Sequence, residues 1–589
     1  MHPTASTPAG TCEHGRTFAV RVFRASIYLV GLLGLSACAD MSANQAPSTS
    51  ITFVQQQLSQ AQLALRTLLM AKETALPAAT QGRQDPVLAF YKARNFLPAW
   101  TASPEQKEEA RKVRALLARA HEQGLRDEDY KAPQDRAEPI SDAQAAAYDV
   151  ALSDAVLRYA HDVRTGRVRA NDIYKDVILP DSQFDAFSLL GKALTDHSSA
   201  DFLANLAPPH PEYRQLAIAL AQYRAIADKG GWQALPAQSE IKLEGNDPRV
   251  SQLAKRLTFE DPVLAAIPSP SKAELRDAVK RFQARNGLAD DGRVGAGTLA
   301  ALNVQAVFRV AQIAANMERW RWIPQFEQRY IAVNVPDQSL EFVRDGAVAL
   351  HSRVIVGRKS SPTPITRSAI VAIIANPPWN IPGDIAARDL LPHLRTSSNY
   401  LATKHMIVTD GPPGDPYGRT INWRNIVPAE FPYAIQQLPG PTTALGALML
   451  DSPNDFDVYL HDTPNKTRFE AIDREISNGC VRVQQILPLA SLVLTGDTAK
   501  GMDSLSQAIK TRQTKRLELG SSLPVYFLYW TALPGADGTI GFRPDLYGRD
   551  APLISALTKD PRSIPADDNH MGVVTDKDSD PSEADDPSP

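Results

Sequence analysis

The chain has 589 residues, a formal net charge of −3 and 43% hydrophobic residues. That length accommodates three or four domains of the usual roughly 100–200 residues. The near-neutral charge implies neither nucleic acid nor an anionic surface as a partner.

In chain order, Arg16, Arg21 and Arg24 precede an apolar run from Ile27 to Leu35 that ends in "LSACAD". A charged start, a short apolar core and small residues are the marks of a signal peptide, here over 1–37. The run is too short to span a bilayer as a mature helix. "LSAC" resembles the bacterial lipobox, which implies lipidation of Cys38 and a lipid anchor in the membrane. Residue 39 is Ala rather than Asp, so the resemblance implies a periplasmic protein held at the outer membrane. Cys12 then leaves with the signal, and Cys480 is the one unmodified thiol, in an oxidising compartment with no disulfide partner. Residues 38–85 read as a polar tether with one helix-like stretch from about Phe53 to Lys72.

Residues 86–240 carry apolar positions at three- and four-residue steps, as in "DVALSDAVLRYAHDVRTGRV", and predict helices broken at Gly124, Gly166 and Gly230-Gly231. Within 241–305, "LRDAVKRFQARNGLADDGRVGAGTLAALN" places Leu275, Val279 and Phe282 on one helical face. Asn286-Gly287 suits a C-cap, Asp291-Gly292 a turn, and Ala296 begins another helix. This stretch resembles the three-helix peptidoglycan-binding domain. A helical connector over 306–325 follows. From 326 to 535 the texture becomes alternating and rich in Val and Ile, with turns at Pro336-Asp337 and Asp345-Gly346. That predicts a mostly antiparallel sandwich or barrel. Helical and Pro-rich sequence at 384–440 interrupts it, and a long insertion in a compact domain often serves as an active-site lid. Residues 536–559 are expected to pack on the catalytic or helical region. The tail, 560–589, has nine acidic and two basic residues and no aromatics, a composition that predicts disorder.

The chemistry concentrates in "YLHDTPNKTRFEAIDREISNGCVRV". His461 ends an alternating strand and Cys480 follows the turn-prone Ser477-Asn478-Gly479 nineteen residues later. A strand end and a loop can bring both groups to one sheet edge, where an imidazole can take the proton of the thiol. Gly479 allows a sharp bend, so nearby amides can face an oxyanion. Arg482 can hold a carboxylate by a bidentate pair. No HExxH and no Cys/His cluster at ligand spacing is present, so no metal and no cofactor are expected. "VGRKSS" lacks the order and the upstream glycine of a phosphate loop.

The pattern His461…Ser477-x-Gly479-Cys480-Val481-Arg482 resembles the YkuD-type L,D-transpeptidase catalytic domain. "NPPWNIP", "QLPGPTTALG" and "PVYFLYWTALPGADGTIGFRPDLYGRD" resemble the large cell-wall members, and "FLPAW" and "RYAHDVRTGRV" their scaffold domain. The fold class implied is multidomain α+β: helical scaffold, three-helix peptidoglycan-binding domain, and β-rich catalytic domain with a helical lid. The resemblance implies Cys480 as nucleophile, His461 as base and acid with the Asp462 carbonyl orienting it, and Gly479 and Cys480 amides as oxyanion hole. Tyr459, Arg482, Ser477, Asn478, Trp379 and Asn380 fall at the donor site. Two positions depart from the pattern: Asn478, where His is common, and Thr443, where Asn is usual. The implied reaction joins peptidoglycan stem peptides 3→3 through a thioester, with release of D-Ala and with acylation by carbapenems. Trimming by water, attachment of a protein amine to the wall, and a silent lipoprotein that tethers membrane to wall are the alternatives. The oligomeric state is not legible.

Overall fold

The computed structural model describes residues 58–74, 85–134, 141–180, 184–323, 325–535 and 537–559. The expected signal peptide, Cys38, much of the tether and the acidic tail lie outside the described residues.

The N-terminal half is helical for local reasons. The long helix Asp142–Thr165 starts at a capping box between Ser141 and Gln144 and ends at Gly166. Its buried Asp149 accepts from the Trp100 amide at 3.0 Å, and Ser153 accepts from the Trp100 indole at 2.9 Å, which fixes "FLPAW" against it. The helix Gln60–Thr74 is not a free tether. Leu65 and Leu69 are buried in the core that holds Trp100 and Val156.

Three helices, Val250–Thr258, Lys272–Arg285 and Ala296–Asn303, share a core built on Leu253, Val279, Phe282, Leu299 and Leu302. Gln283 is buried between two of them. Its Oε1 accepts from the Gly292 amide and its Nε2 donates to the Arg293 carbonyl, both at 2.8 Å. The turn predicted at Asp291-Gly292 is thus tied to the preceding helix.

The C-terminal half is β-rich, and its main sheet closes on itself. The strands are β1 (Val177–Ile178), β2 (Arg329–Asn334), β3 (Ser339–Arg344), β4 (Ala347–Gly357), β5 (Ile365–Ala375), β6 (Trp379–Ile381), β7 (Met406–Val408), β8 (Ile435–Gln437), β9 (Leu448–Asp451), β10 (Leu460–His461), β11 (Glu475–Ser477), β12 (Val481–Val483), β13 (Lys515–Leu528), β14 (Ala532–Pro534) and β15 (Ile540–Phe542). The ring runs β5-β13-β2-β3-β4-β12-β10-β9 and returns to β5. Most pairs are antiparallel; β13–β2 and β10–β12 are parallel. Alternate residues such as Ile331, Val333, Val354, Val356, Val481, Val483, Val525 and Phe527 fill the interior. β1, from the helical half, adds parallel to the start of β5.

Between β5 and β9 the chain leaves the ring to build the insertion. It is not only helical. β6, β8 and β7 form a three-stranded sheet, joined by short helical turns around Ile381, Leu391, Leu401, Trp423 and Ile435. The helices Ile486–Thr495 and Thr498–Lys510 pack so closely that a Cβ on Gly501 would lie 2.5 Å from Ser491 Cα.

The helix Ala306–Arg321 joins the halves. Its Arg319 pairs with Asp550 at 2.6 Å, which holds the last helix, Asp550–Thr558. Its Trp320 stacks on Trp530 with centroids 4.2 Å apart. Among the described residues no single helix is long and apolar enough to cross a membrane.

Candidate active site

The site is set by the parallel register of β10 and β12, in which Leu460 faces Val481 and His461 faces Arg482. Side chains alternate across a strand. Tyr459 and His461 therefore share a face with Cys480 and Arg482, while Leu460, Val481 and Val483 enter the core. His461, at the end of β10, and Cys480, just before β12, are thus brought to one face.

The loop before β12 is locked by Ser477. Its hydroxyl donates to the Cys480 carbonyl at 2.6 Å and accepts from the Gly479 amide at 3.2 Å. Gly479 has φ of 113°, a conformation that favours glycine. Its carbonyl accepts from the Thr363 hydroxyl at 2.7 Å. The Gly479 amide is therefore engaged, whereas among the described residues the Cys480 amide has no hydrogen-bond partner.

His461 is 3% exposed. Its Nδ1 lies 2.6 Å from the Asp462 carbonyl, which requires the proton on Nδ1 and leaves Nε2 as the acceptor. The Leu445 carbonyl also faces the ring. Burial, followed by the charge of Arg482, pushes the imidazole down to about 3. Burial also raises the Cys480 thiol above its ordinary 9.0, against the Tyr459 amide and Arg482, which favour the thiolate. Burial thus favours the neutral form of both groups. Cys480 Sγ donates to the Asp457 carbonyl at 3.7 Å, and among the described residues no hydrogen bond joins it to His461.

Residues 328–500, which contain this site, match the family described as "L,D-transpeptidase catalytic domain". The chain carries a YkuD L,D-transpeptidase catalytic domain. Residues 85–220 match the "Scaffold domain" and residues 246–302 the "Putative peptidoglycan binding domain". Over 241 residues the chain is 36% identical to a Haemophilus influenzae protein named "Putative L,D-transpeptidase". That alignment covers 41% of this chain and 48% of the relative, so the chain spans about half of the relative's length. A solved structure described as "Structure of the Ldtfm-avibactam carbamoyl enzyme" is 15% identical, with 35% of this chain and 50% of that one covered and a TM-score of 0.17.

Several parts of the L,D-transpeptidase domain were not legible in its sequence. Gly446, at φ of 61°, sits so close to Asp462 that a Cβ there would lie 2.5 Å from the Asp462 Cβ. The Asp462 carboxylate accepts from the Ala447 amide at 2.8 Å and pairs with Lys466. The residue whose carbonyl orients His461 is thus clamped by the "TALG" loop. Thr443, at the position usually Asn, is buried and donates to the Leu438 carbonyl at 2.7 Å, a contact internal to that loop. Asn478 Oδ1 accepts from Arg388 of the insertion at 2.8 Å and from Arg358 at the end of β4. Trp379 and Asn380 lie in β6. Trp379 packs on the apolar cluster of the insertion, and Asn380 accepts from Gln436 at 2.7 Å. Of the other histidines of this domain, His351 faces Glu341 at 3.6 Å and His393 stacks on Tyr400.

Proposed function

We propose that this protein is an exported L,D-transpeptidase that forms 3→3 cross-links between peptidoglycan stems. The observation that carries the reading is the shared face of Cys480, His461, Tyr459 and Arg482, with His461 Nδ1 held by Asp462.

Cys480 Sγ attacks the carbonyl carbon of the diaminopimelate–D-Ala bond in a tetrapeptide stem. His461 Nε2 takes the thiol proton as the S–C bond forms. This step requires the thiol to turn from the Asp457 carbonyl toward His461. Because both groups start neutral, proton transfer accompanies attack, and the imidazolium exists only while negative charge develops on the substrate. The oxyanion is met by the Cys480 amide, and one such donor contributes about 10²–10³ in rate. Collapse breaks the C–N bond, and His461 returns its proton to the departing amine of D-Ala. The thioester keeps the energy of the broken amide, so no nucleotide is consumed. The side-chain amine of a second stem attacks the thioester, His461 takes its proton, and Cys480 leaves as the thiol. The insertion touches the nucleophile loop through Arg388 and Asn478, and its closure would favour the amine over water.

Ser477 and Gly479 position the nucleophile. Tyr459 and Arg482 line the donor site, and the guanidinium of Arg482 balances a substrate carboxylate. The domains matched suggest work at the cell wall. The signal peptide and lipidated Cys38 would hold the enzyme at the outer membrane, and residues 241–305 would hold it on the wall.

Incubation of purified sacculi with the protein, followed by mass analysis of released muropeptides, tests this. New 3→3 dimers with free D-Ala support it. Tripeptides alone would mean trimming, no change mere binding, and either would overturn it.

A further inference from the structure

The environment of Asn478 contains more positive charge than a neutral amide needs. Its Oδ1 accepts from Arg388 Nη2 at 2.8 Å and from Arg358 Nη2. Only the oxygen of the amide can face two donors, so the Nδ2 group turns away. The cations come from separate elements. Arg358 follows β4 and is anchored by its own amide, which donates to the Ser477 carbonyl at 2.9 Å. Arg388 sits on the insertion, with its side chain 43% exposed. Asp389 binds Arg388 through both oxygens, at 2.8 and 3.0 Å, and Asp384 adds a weaker field. Among the described residues no carboxylate pairs with Arg358, and its Nε is buried without a partner. With Asp389 matched to Arg388, the uncompensated positive charge is that of Arg358, against a residue two positions from the nucleophile.

An amide oxygen is a poor match for two guanidinium forks. A carboxylate supplies two oxygens and a full charge in the planar geometry those forks fit. The residue type at 478 agrees with a placeholder role. A neutral imidazole there offers one acceptor nitrogen and an imidazolium none, so neither would hold two arginines together. We infer that Arg358 and Arg388 form a subsite for a carboxylate of the bound stem peptide, with Asn478 holding the pair until the ligand displaces it. The inference rests on the transpeptidase reading for the identity of the peptide. The subsite joins barrel and insertion, so an anionic ligand draws the insertion onto Cys480.

Two carboxylates of a tetrapeptide stem fit this chemistry: the terminal one on D-Ala, and the one at the far centre of diaminopimelate. Equilibrium binding by calorimetry to the full chain carrying Cys480→Ala separates them, with the tetrapeptide and its two singly amidated forms as probes. Amidation of one carboxylate should weaken binding about tenfold or more, the size of a charge-assisted pair. In the Arg358→Gln/Arg388→Gln double variant the unmodified peptide should bind more weakly by the same factor, and that discrimination should vanish. Arg388→Gln alone, at a position with its side chain 43% exposed, should reduce it. Asn478→Ala, which removes the placeholder and neither cation, should keep it. Equal binding of all three peptides, or full discrimination by the double variant, overturns the inference. Acylation of unaltered protein by the tetrapeptide is scored separately. Binding with discrimination but no acylation would sink the transpeptidase reading and spare the subsite. Acylation without discrimination would do the reverse.

Discussion

A cysteine enzyme can store its nucleophile as a thiolate–imidazolium pair or as two neutral groups, and the surroundings of His461 select the second. Its ring is buried, faces the Arg482 charge, and is pushed from 6.5 to about 3. At 1.36 kcal/mol per unit, protonating it in place costs about 5 kcal/mol more than in water. The thiol adds to the bias, because burial lifts it above 9.0. Alkylation of Cys480 by iodoacetamide, followed by intact mass from pH 4 to 9.5, measures this directly. The account predicts a rate that climbs about tenfold per pH unit through neutrality, with no plateau below pH 9. A plateau between pH 4 and 8, bounded by an acid inflection, would mean a standing ion pair and would refute the reasoning. Arg482→Gln should raise the His461 pKa and also raise that of the thiol, since the guanidinium favours the thiolate.

Further outcomes follow from neighbouring contacts. His461→Gln should slow acylation by about 10²–10⁴ with little change in binding of the tetrapeptide, read by single-turnover kinetics. Gly446→Ala should lower the acylation rate by driving a Cβ into Asp462 and turning the carbonyl that orients His461; unchanged kinetics would count against that clamp. Asp550→Ala leaves buried Arg319 unpaired and should cost about 3–5 kcal/mol, seen as faster hydrogen exchange in the last helix. His461 should also make stability depend on pH. The unfolded ring protonates below 6.5 and the folded ring only near 3, so stability should fall as pH drops across that window. His461→Gln should remove that component of the pH dependence of urea unfolding.

What could be read from the sequence follows the range of the interactions involved. Ser477, Gly479, Cys480 and Arg482 lie within one turn and strand, so their spacing fixes which side chains share a face. The alternation in "RYIAVNVPDQSLEFVRDG" is local too, and it marks β2 and β3. Closure of the ring through β5 and β9 is not local, and neither is the parallel pairing of β10 with β12 that decides the site. Residues 384–440 read as helical and Pro-rich because β7 and β8 are only three residues each, too short to show a period. Trp379 and Asn380 were expected near the donor and stand in that small sheet. Arg358 lay in "VGRKSS", a stretch with nothing to recommend it once a phosphate loop was set aside. Its meeting with Arg388 and Asn478 depends on three segments far apart in the chain. The hydrogen bond from Cys480 to the Asp457 carbonyl depends on a rotamer, for which a sequence carries no signal.

The central claim is that Cys480 carries the stem peptide as a thioester. Intact-protein mass spectrometry after brief mixing with a tetrapeptide stem, followed by peptide mapping, tests it most directly. The account predicts an adduct equal to the stem less D-Ala, located on Cys480 and absent from Cys480→Ala. An adduct on another residue, or 3→3 product formed at full rate by Cys480→Ala, would contradict it.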